Sequence, residues 1–182
     1  VQVWLSSNTS ITEFRVITPS LGKLHLSKNK SLTNLVILIS TNLEYLDLSD
    51  STNILGPWVY ASMMQSSKMK ELYLRNLTQF KPSDAYNGSL PLYYMEGLEV
   101  IDIGGSTAVR TEVQKSISGT VKYCANLRWM SVENCKQLER VEVFSSTKIE
   151  YLNFAGCSSA TDMVVSSETP SYKEIHAENA YI

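Results

Sequence analysis

An internal repeat runs through nearly the whole of this chain. Segments along the sequence align on themselves, and each is apolar at its first position and at offsets +3 and +5 from that position. The first residues of these segments are Leu21, Leu43, Met69, Leu98, Leu127, Ile149 and Tyr172. Successive starts are separated by 22, 26, 29, 29, 22 and 23 residues. Because a single unit of this size cannot bury its own apolar residues, the repeat predicts a solenoid whose stacked units share one core.

The short units contain a second apolar trio at offsets +11, +14 and +16. In the unit that begins at Leu21 the trio is Leu32, Leu35 and Ile37. The trio recurs in register in four short units, so the apolar pattern repeats after 11 residues within each of them. One of these four is the earliest unit, whose preceding residues of the pattern are Val3, Leu5 and Asn8. This agreement over several units excludes a chance match to the repeat.

Offset +8 carries Asn, Cys or a small residue in most units, and the whole pattern resembles the leucine-rich repeat, L-x-x-L-x-L-x-x-N/C-x-L. Leu77, Ser106 and Ala180 depart from it at this offset. The resemblance covers nearly the whole chain. It implies an α/β solenoid with short parallel strands on the concave face and irregular or short helical segments on the convex face. We expect residues 1–182 to be a single domain of about seven to eight units, and a segment of a longer protein.

Strand alternation predicts which side chains are buried. Side chains at offsets +3 and +5 point inward and those at +2, +4 and +6 point outward. The residues expected in the core therefore include Leu24, Leu46, Ile101, Met130 and Leu152. Asn at offset +8 (Asn8, Asn29) is expected to satisfy backbone groups inside the turn. Cys135 and Cys157, at the same offset, are expected to be buried, reduced substitutes for it.

Three central units are longer, and their extra residues follow the strand. Residues 57–65 begin with proline and predict a short helix. Apolar residues recur at every fourth position in residues 109–121, which predicts an amphipathic helix packed on the solenoid. Residues 78–97 predict a loop that partly folds back on the body.

Composition and motifs exclude several classes of function. The chain has 16 Lys+Arg and 18 Asp+Glu, so it lacks the basic character of a nucleic-acid-binding protein. It has no apolar stretch of the ~18 residues that a membrane span needs. No G-x-S-x-G, H-E-x-x-H, P-loop or C-x-x-C motif is present. Residues 101–107 resemble the D-x-G-G-T phosphate motif of sugar kinases, but they fall in register with the repeat and no second nucleotide motif accompanies them. His25 and His176 lie six repeats apart, too far to share a metal, so both are expected at the surface. The sequence therefore predicts neither an enzyme nor a cofactor or metal site.

The outward strand positions are the candidate functional residues. Two tryptophans and three tyrosines at offsets +2 and +4 face a sheet surface that should be open to water, and Tyr and Trp are favoured anchors of interfaces. The predicted partner-binding residues are Trp4, Tyr45, Asp47, Tyr73, Asp102, Trp129 and Tyr151. We expect a non-catalytic module that recognises a protein, or a glycan, through the concave strand face. The alternative is a structural spacer that displays another domain, in which the rings only stabilise the sheet.

Short sequence segments of this chain resemble those of two groups of leucine-rich repeat proteins. The run Leu24 to Leu32 and the tight short units are similar to bacterial surface and secreted members. The runs around Asn126 and Cys135, together with the long insertions, are similar to the sensor region of plant intracellular immune receptors. The resemblance implies a secreted or cell-surface protein of a bacterium, with a cytoplasmic plant protein as the alternative. The chain has four N-x-S/T sequons, but the asparagines of two of them, Asn8 and Asn29, lie at offset +8, where they are expected to be buried. A glycan could not be accommodated there, so the sequons argue against a eukaryotic secretory route.

Overall fold

The fold is a solenoid of parallel β-strands, seen in a computed structural model. The structure describes residues 1–38, 40–55, 68–79, 97–106, 126–136, 138, 140–144, 148–160, 162–166 and 172–180. The strands in these ranges are β1 (Gln2–Trp4), β2 (Glu13–Ile17), β3 (Lys23–His25), β4 (Asn34–Leu38), β5 (Tyr45–Asp47), β6 (Glu71–Tyr73), β7 (Val100–Asp102), β8 (Trp129–Ser131), β9 (Arg140–Phe144), β10 (Tyr151–Asn153), β11 (Asp162–Ser166) and β12 (Glu174–His176).

One parallel sheet contains a strand from every repeat unit. Its order is β1-β3-β5-β6-β7-β8-β10-β12, so consecutive units are neighbours. The register pairs equal offsets throughout: Val3 lies beside Leu24, Leu24 beside Leu46, and Leu46 beside Leu72. The predicted register is therefore confirmed, including across the units of 26 and 29 residues. Extra residues in a unit do not shift the strand because they lie after it.

The second side of the short units also consists of strands. Strands β2 and β4 form one parallel pair, and β9 and β11 form another. No helix occurs in the described residues, so the expectation of irregular or short helical segments on this side does not hold for these units. The physical reason is the second apolar trio, whose last two members alternate with exposed residues: in β4, Leu35 and Ile37 are buried. The helices predicted for residues 57–65 and 109–121 lie outside the described residues, as do residues 80–96 of the predicted loop.

The core fills the space between the two sides of the solenoid. Its members occupy offsets 0, +3 and +5, the second trio and, at Leu77, Cys135 and Cys157, offset +8. All five residues predicted for the core are buried: Leu24, Leu46, Ile101, Met130 and Leu152. The exception to the pattern is Ile175, which has the same offset in the last unit but is 53% exposed because its strand lies at the end of the sheet.

The turn that follows each strand has the same backbone conformation in all eight described units. The residue at offset +7 has a positive φ each time, between 56° and 73°. These residues are Ser7, Lys28, Asp50, Asn76, Gly105, Asn134, Gly156 and Asn179. Six of the eight are Asn, Asp or Gly, the residue types that adopt this left-handed conformation most readily. The turn was not predicted from the sequence, although the enrichment at this offset is a signal that could have found it.

Polar side chains at offset +8 connect their unit to the one before it. Asn29 Nδ2 donates to the carbonyl of Leu5 at 2.8 Å and to that of Leu26 at 2.7 Å, and Asn29 Oδ1 accepts from the Asn8 amide at 2.6 Å. Ser51 Oγ donates to the Leu26 carbonyl at 2.7 Å, and Ser106 Oγ donates to the Leu74 carbonyl at 2.6 Å. The predicted ladder of side-chain bonds to the backbone is confirmed.

The two described cysteines take part in the same ladder as free, buried thiols. Cys135 Sγ lies 3.2 Å from the Ile103 carbonyl oxygen, and Cys157 Sγ lies 3.0 Å from that of Val132. Burial, with the neighbouring Cys157 as the next cause, raises the pKa of Cys135 to about 12. Both residues are thus packing residues with a weak donor, as the sequence predicts; Cys124 lies outside the described residues.

Candidate functional site

The outward side chains of the eight-stranded sheet form one continuous surface, here called the strand face. It consists of the side chains at offsets +2 and +4 of the eight strands, and the register places equal offsets side by side. All seven residues predicted to bind a partner lie on it: Trp4, Tyr45, Asp47, Tyr73, Asp102, Trp129 and Tyr151. The five rings among them form two aromatic clusters, one on each side of β7, and Asp102 lies on β7 itself.

The N-terminal cluster is a run of four rings on four consecutive strands. Trp4 stacks on His25 with ring centroids 3.5 Å apart and planes 7° apart. His25 contacts Tyr45 at 4.3 Å, and Tyr45 contacts Tyr73 at 5.5 Å, both with tilted rings. Trp4, His25 and Tyr73 are at offset +4, whereas Tyr45 is at offset +2. Tyr45 contacts both of its neighbours because long rings reach diagonal positions on the next strand as well as those directly opposite. The edge ring of this cluster, Trp4, is 66% exposed.

The C-terminal cluster joins three strands. Trp129 and Tyr151 stack with centroids 4.9 Å apart and planes 4° apart. Tyr151 also contacts the imidazole of His176 at 5.5 Å and accepts a hydrogen bond from Asn153 Nδ2 at 3.2 Å on its hydroxyl. This pairing of Trp129 with Tyr151 matches the expectation that rings in consecutive units lie near one another.

Between the two clusters lies a cleft of about 370 Å³. Its lining residues are Tyr73, Val100, Arg128, Trp129, Glu150 and Tyr151. Val100 is opposite Trp129 in the register, and the small side chain of Val100 leaves the space that the flanking rings enclose. The volume falls in the range of about 300–1,000 Å³ that ligand pockets occupy. The rings are half-buried, so they present both packed and solvent-accessible surface.

The two predicted aspartates have structural partners. Asp47 Oδ1 accepts from the Ser49 amide at 2.9 Å, and Asp102 Oδ1 accepts from the Gly104 amide at 2.9 Å. Asn153 makes the same bond with the Ala155 amide at 3.0 Å. Short polar side chains at offset +4 therefore hold the turn that follows the strand. This structural role explains why Asp47 and Asp102 occur at offset +4 without requiring that either of them binds a ligand.

Asp102 is further covered by Arg75. The guanidinium lies 3.0 Å from Asp102 Oδ2 and 3.2 Å from Glu133 Oε2, so it bridges two carboxylates. Burial acts against the charge of Arg75, but the bonds to Asp102 and Glu133 outweigh it and raise the pKa of the guanidinium. A Cβ on Gly104 would lie 3.0 Å from Arg75 Nη1, so the missing side chain at this position makes room for the bridge. Asp102 is not available to bind a partner.

Sequence reasoning misplaced His25, which was expected at the surface. Its side chain lies between Trp4 and Tyr45, it is 9% exposed, and Nε2 is buried without a hydrogen-bond partner. The sequence does place His25 at an outward offset with Trp4 and Tyr45 on the two adjacent strands, and this pattern could have predicted its burial between rings. His176 lies at the open end of the sheet and is half-buried, with Glu174 and Glu178 at 3.5 and 3.6 Å.

The pKa values of two strand-face tyrosines, Tyr45 and Tyr73, are raised. Burial, then the nearby charges of Asp47 and Glu71, raises the pKa of Tyr45 to about 12. Burial also raises the pKa of Tyr73, and the hydrogen bond that its hydroxyl donates to Glu71 Oε2 at 2.9 Å adds to this effect. Both phenols are hydrogen-bond donors at neutral pH, and neither can act as a base.

We predict that His25 makes the stability of the fold depend on pH. Burial lowers the pKa of His25 below 6.5, while Asp47 and Glu71 act in the opposite direction and Lys23 acts with burial. Because the unfolded chain then binds a proton more readily than the folded one, the stability that neutral His25 provides is fully present above pH 6.5. It is lost as the pH falls from 6.5 through the pKa of the folded state. Urea unfolding between pH 5 and 8 measures this dependence.

The matched control is His25→Phe, which retains a ring between Trp4 and Tyr45 but does not titrate. The difference in unfolding free energy between wild type and variant should decrease as the pH falls through this window. A difference that stays constant from pH 8 to pH 5 would contradict the prediction.

The described residues offer no site for a metal, since no group of three or more His, Cys, Asp or Glu side chains among them could hold one. In the same part of the chain, no helix has the length and apolar character needed to cross a membrane. Comparison with family models, with curated proteins and with solved structures found no match to this chain.

Proposed function

We propose that this chain is a non-catalytic binding module that recognises a protein segment through the strand face. The observation that carries the proposal is the cleft above Val100, enclosed by Tyr73 on one side and by the stacked pair Trp129 and Tyr151 on the other. Aromatic side chains of this kind lose little conformational entropy on binding and dominate the energetics of interfaces. A sheet built from repeats supplies the extended surface on which such anchors act.

We further propose that the chain is of the leucine-rich repeat type. The confirmed register, the bonds of Asn29, Ser51 and Ser106 to the preceding unit, and the burial of Cys135 and Cys157 at the same offset support this assignment. On the same basis we propose that the chain belongs to a secreted or cell-surface protein of a bacterium. The alternative is the sensor region of a cytoplasmic plant receptor. A glycan is the second class of ligand that stacked aromatic rings accommodate.

The competing function is a structural spacer. One observation favours it: the rings of each cluster already contact one another across the strands, as in the Trp129–Tyr151 pair at 4.9 Å. Such pairs contribute about 0.5–1.5 kcal/mol to stability, so stabilisation of the sheet alone could explain why aromatic residues occur there. A spacer would lose stability but no binding when a ring is removed.

A selection of peptides from a random phage-display library on the immobilised chain tests the proposal. We expect the selected peptide to bind Trp129→Ala more weakly by about 2 kcal/mol or more, roughly thirtyfold in Kd, measured by calorimetry. The loss of unfolding free energy in the same variant should be only about 0.5–1.5 kcal/mol, the value of one aromatic pair.

Ile17→Ala is the matched control. Ile17 is 55% exposed and lies in β2, which belongs to a different sheet, so its removal should leave peptide affinity unchanged. Equal affinity of wild type and Trp129→Ala, or failure to select any peptide that competes for the strand face, would contradict the binding function and favour the spacer.

A further inference from the structure

The cleft has a floor and walls that suit a cation. Tyr73 and Trp129 flank Val100, and the face of an aromatic ring carries negative electrostatic potential that attracts Lys, Arg and other cations. The strand face already contains one such contact, since Lys23 Nζ lies 6.0 Å from the centroid of the Tyr45 ring. The cleft thus combines aromatic surface with a small apolar floor, the arrangement that accommodates the methylene stem and charged head of a long cationic side chain.

The charge of the strand face is negative. At offsets +2 and +4 it carries one lysine, Lys23, against four carboxylates, Asp47, Glu71, Asp102 and Glu174. Asp102 is paired with Arg75. Within the described part of the chain, no Lys or Arg nitrogen lies within 4.0 Å of the carboxylates of Asp47 or Glu71. Among the described residues, these two carboxylates therefore have no Lys or Arg partner.

The cationic groups at the edge of the cleft are already engaged. Arg128 Nη2 lies 2.7 Å from Glu99 Oε2, and Lys173 Nζ lies 2.9 Å from Glu150 Oε2. Each of these cations therefore has its charge balanced by a carboxylate of the neighbouring unit. Glu71, by contrast, is directly beside Val100 in the register, one strand spacing of about 5 Å away.

We propose that the cleft above Val100 binds the cationic side chain of a lysine or arginine in a partner protein segment. The stem of that side chain lies between Tyr73 and Trp129, and its charged head pairs with Glu71. The hydrogen bond from the Tyr73 hydroxyl to Glu71 Oε2 at 2.9 Å ties this carboxylate to a ring that lines the cleft, and among the described residues no hydrogen bond engages its other oxygen. This inference rests on the proposed function and names the chemistry of the partner: a basic segment rather than an acidic one or a neutral glycan.

The test uses three fluorescein-labelled peptides, with four repeats of Gly-Ser-Lys, Gly-Ser-Gln or Gly-Ser-Glu, in polarisation titrations of the whole chain. We expect the lysine peptide to bind at least tenfold more tightly than the glutamine peptide, and the glutamate peptide to bind least. Glu71→Gln should weaken binding of the lysine peptide about tenfold, with the urea midpoint recorded to check folding.

Glu44→Gln is the control for net charge, because it removes the same charge from a carboxylate that pairs with Lys70 and lies before β5, outside the strand face. It should change the affinity less than twofold. Val100→Trp fills the cleft without changing charge and should abolish binding of the lysine peptide. The inference is overturned if Glu71→Gln and Glu44→Gln weaken binding equally, or if the glutamine peptide or a neutral cello-oligosaccharide binds as well as the lysine peptide.

The outcomes separate this inference from the proposed function. If a library-selected peptide without Lys or Arg binds wild type and fails to bind Val100→Trp, the strand face is the binding face but the cation inference is wrong. If no peptide, basic or neutral, is sensitive to Val100→Trp, both are wrong.

Discussion

Leu46→Ala is expected to lower the free energy of unfolding by about 2–5 kcal/mol. Leu46 is completely buried, at the centre of β5, and lies between Leu24 of the preceding unit and Leu72 of the next. Truncation to alanine removes apolar contacts and leaves a cavity that the neighbouring strands cannot close, because their hydrogen-bonded register fixes their spacing. Urea unfolding followed by circular dichroism measures the loss.

Ile175→Ala is the matched control for this substitution. Ile175 has the same offset in the last unit but is 53% exposed, so its truncation should cost less than about 1 kcal/mol. A change below about 0.5 kcal/mol for Leu46→Ala would contradict the register that places offset +3 in the core.

Asn29→Ala is expected to lower the unfolding free energy by about 2–4 kcal/mol, since each buried polar group left without a partner costs about 1–3 kcal/mol. The Asn29 side chain is fully buried and satisfies the Leu5 carbonyl and the Asn8 amide of the preceding unit. Both groups lose their partner in the variant. The Leu26 carbonyl does not, because Ser51 Oγ also donates to it at 2.7 Å. The same unfolding measurement applies.

Asn29→Ser distinguishes the hydrogen bonds from the volume of the side chain. Ser51 and Ser106 already occupy this offset, and each donates to the preceding unit through its hydroxyl. Asn29→Ser should therefore be more stable than Asn29→Ala by about 1 kcal/mol, the net value of a typical hydrogen bond. Equal stability of the two variants would show that the ladder bond does not stabilise the stack.

The candidate site was partly predictable from the sequence. Alternation in register with the apolar trio predicts that Tyr45, Tyr73, Trp129 and Tyr151 share one face, and the sheet places them there. The sequence does not predict which rings touch, because contacts such as Tyr45–Tyr73 run diagonally between offsets and depend on side-chain conformations. The sequence also does not predict that Arg75 reaches over Gly104 to Asp102 and Glu133. These three charged residues belong to three different units, and they meet only once the strands of those units are adjacent in the sheet.

The repeat, the register of the eight strands, the buried columns and the ladder at offset +8 could all be predicted from the sequence. They follow from a local periodicity that each unit carries independently, and stacking requires the units to keep the same register. Three features became known from the assembled fold: the second side of the short units forms strands, His25 is buried between two rings, and a cleft opens above Val100. These depend on contacts between residues roughly 20 or more positions apart, which no single unit encodes, because burial and open space at one strand are set by the side chains of its neighbours.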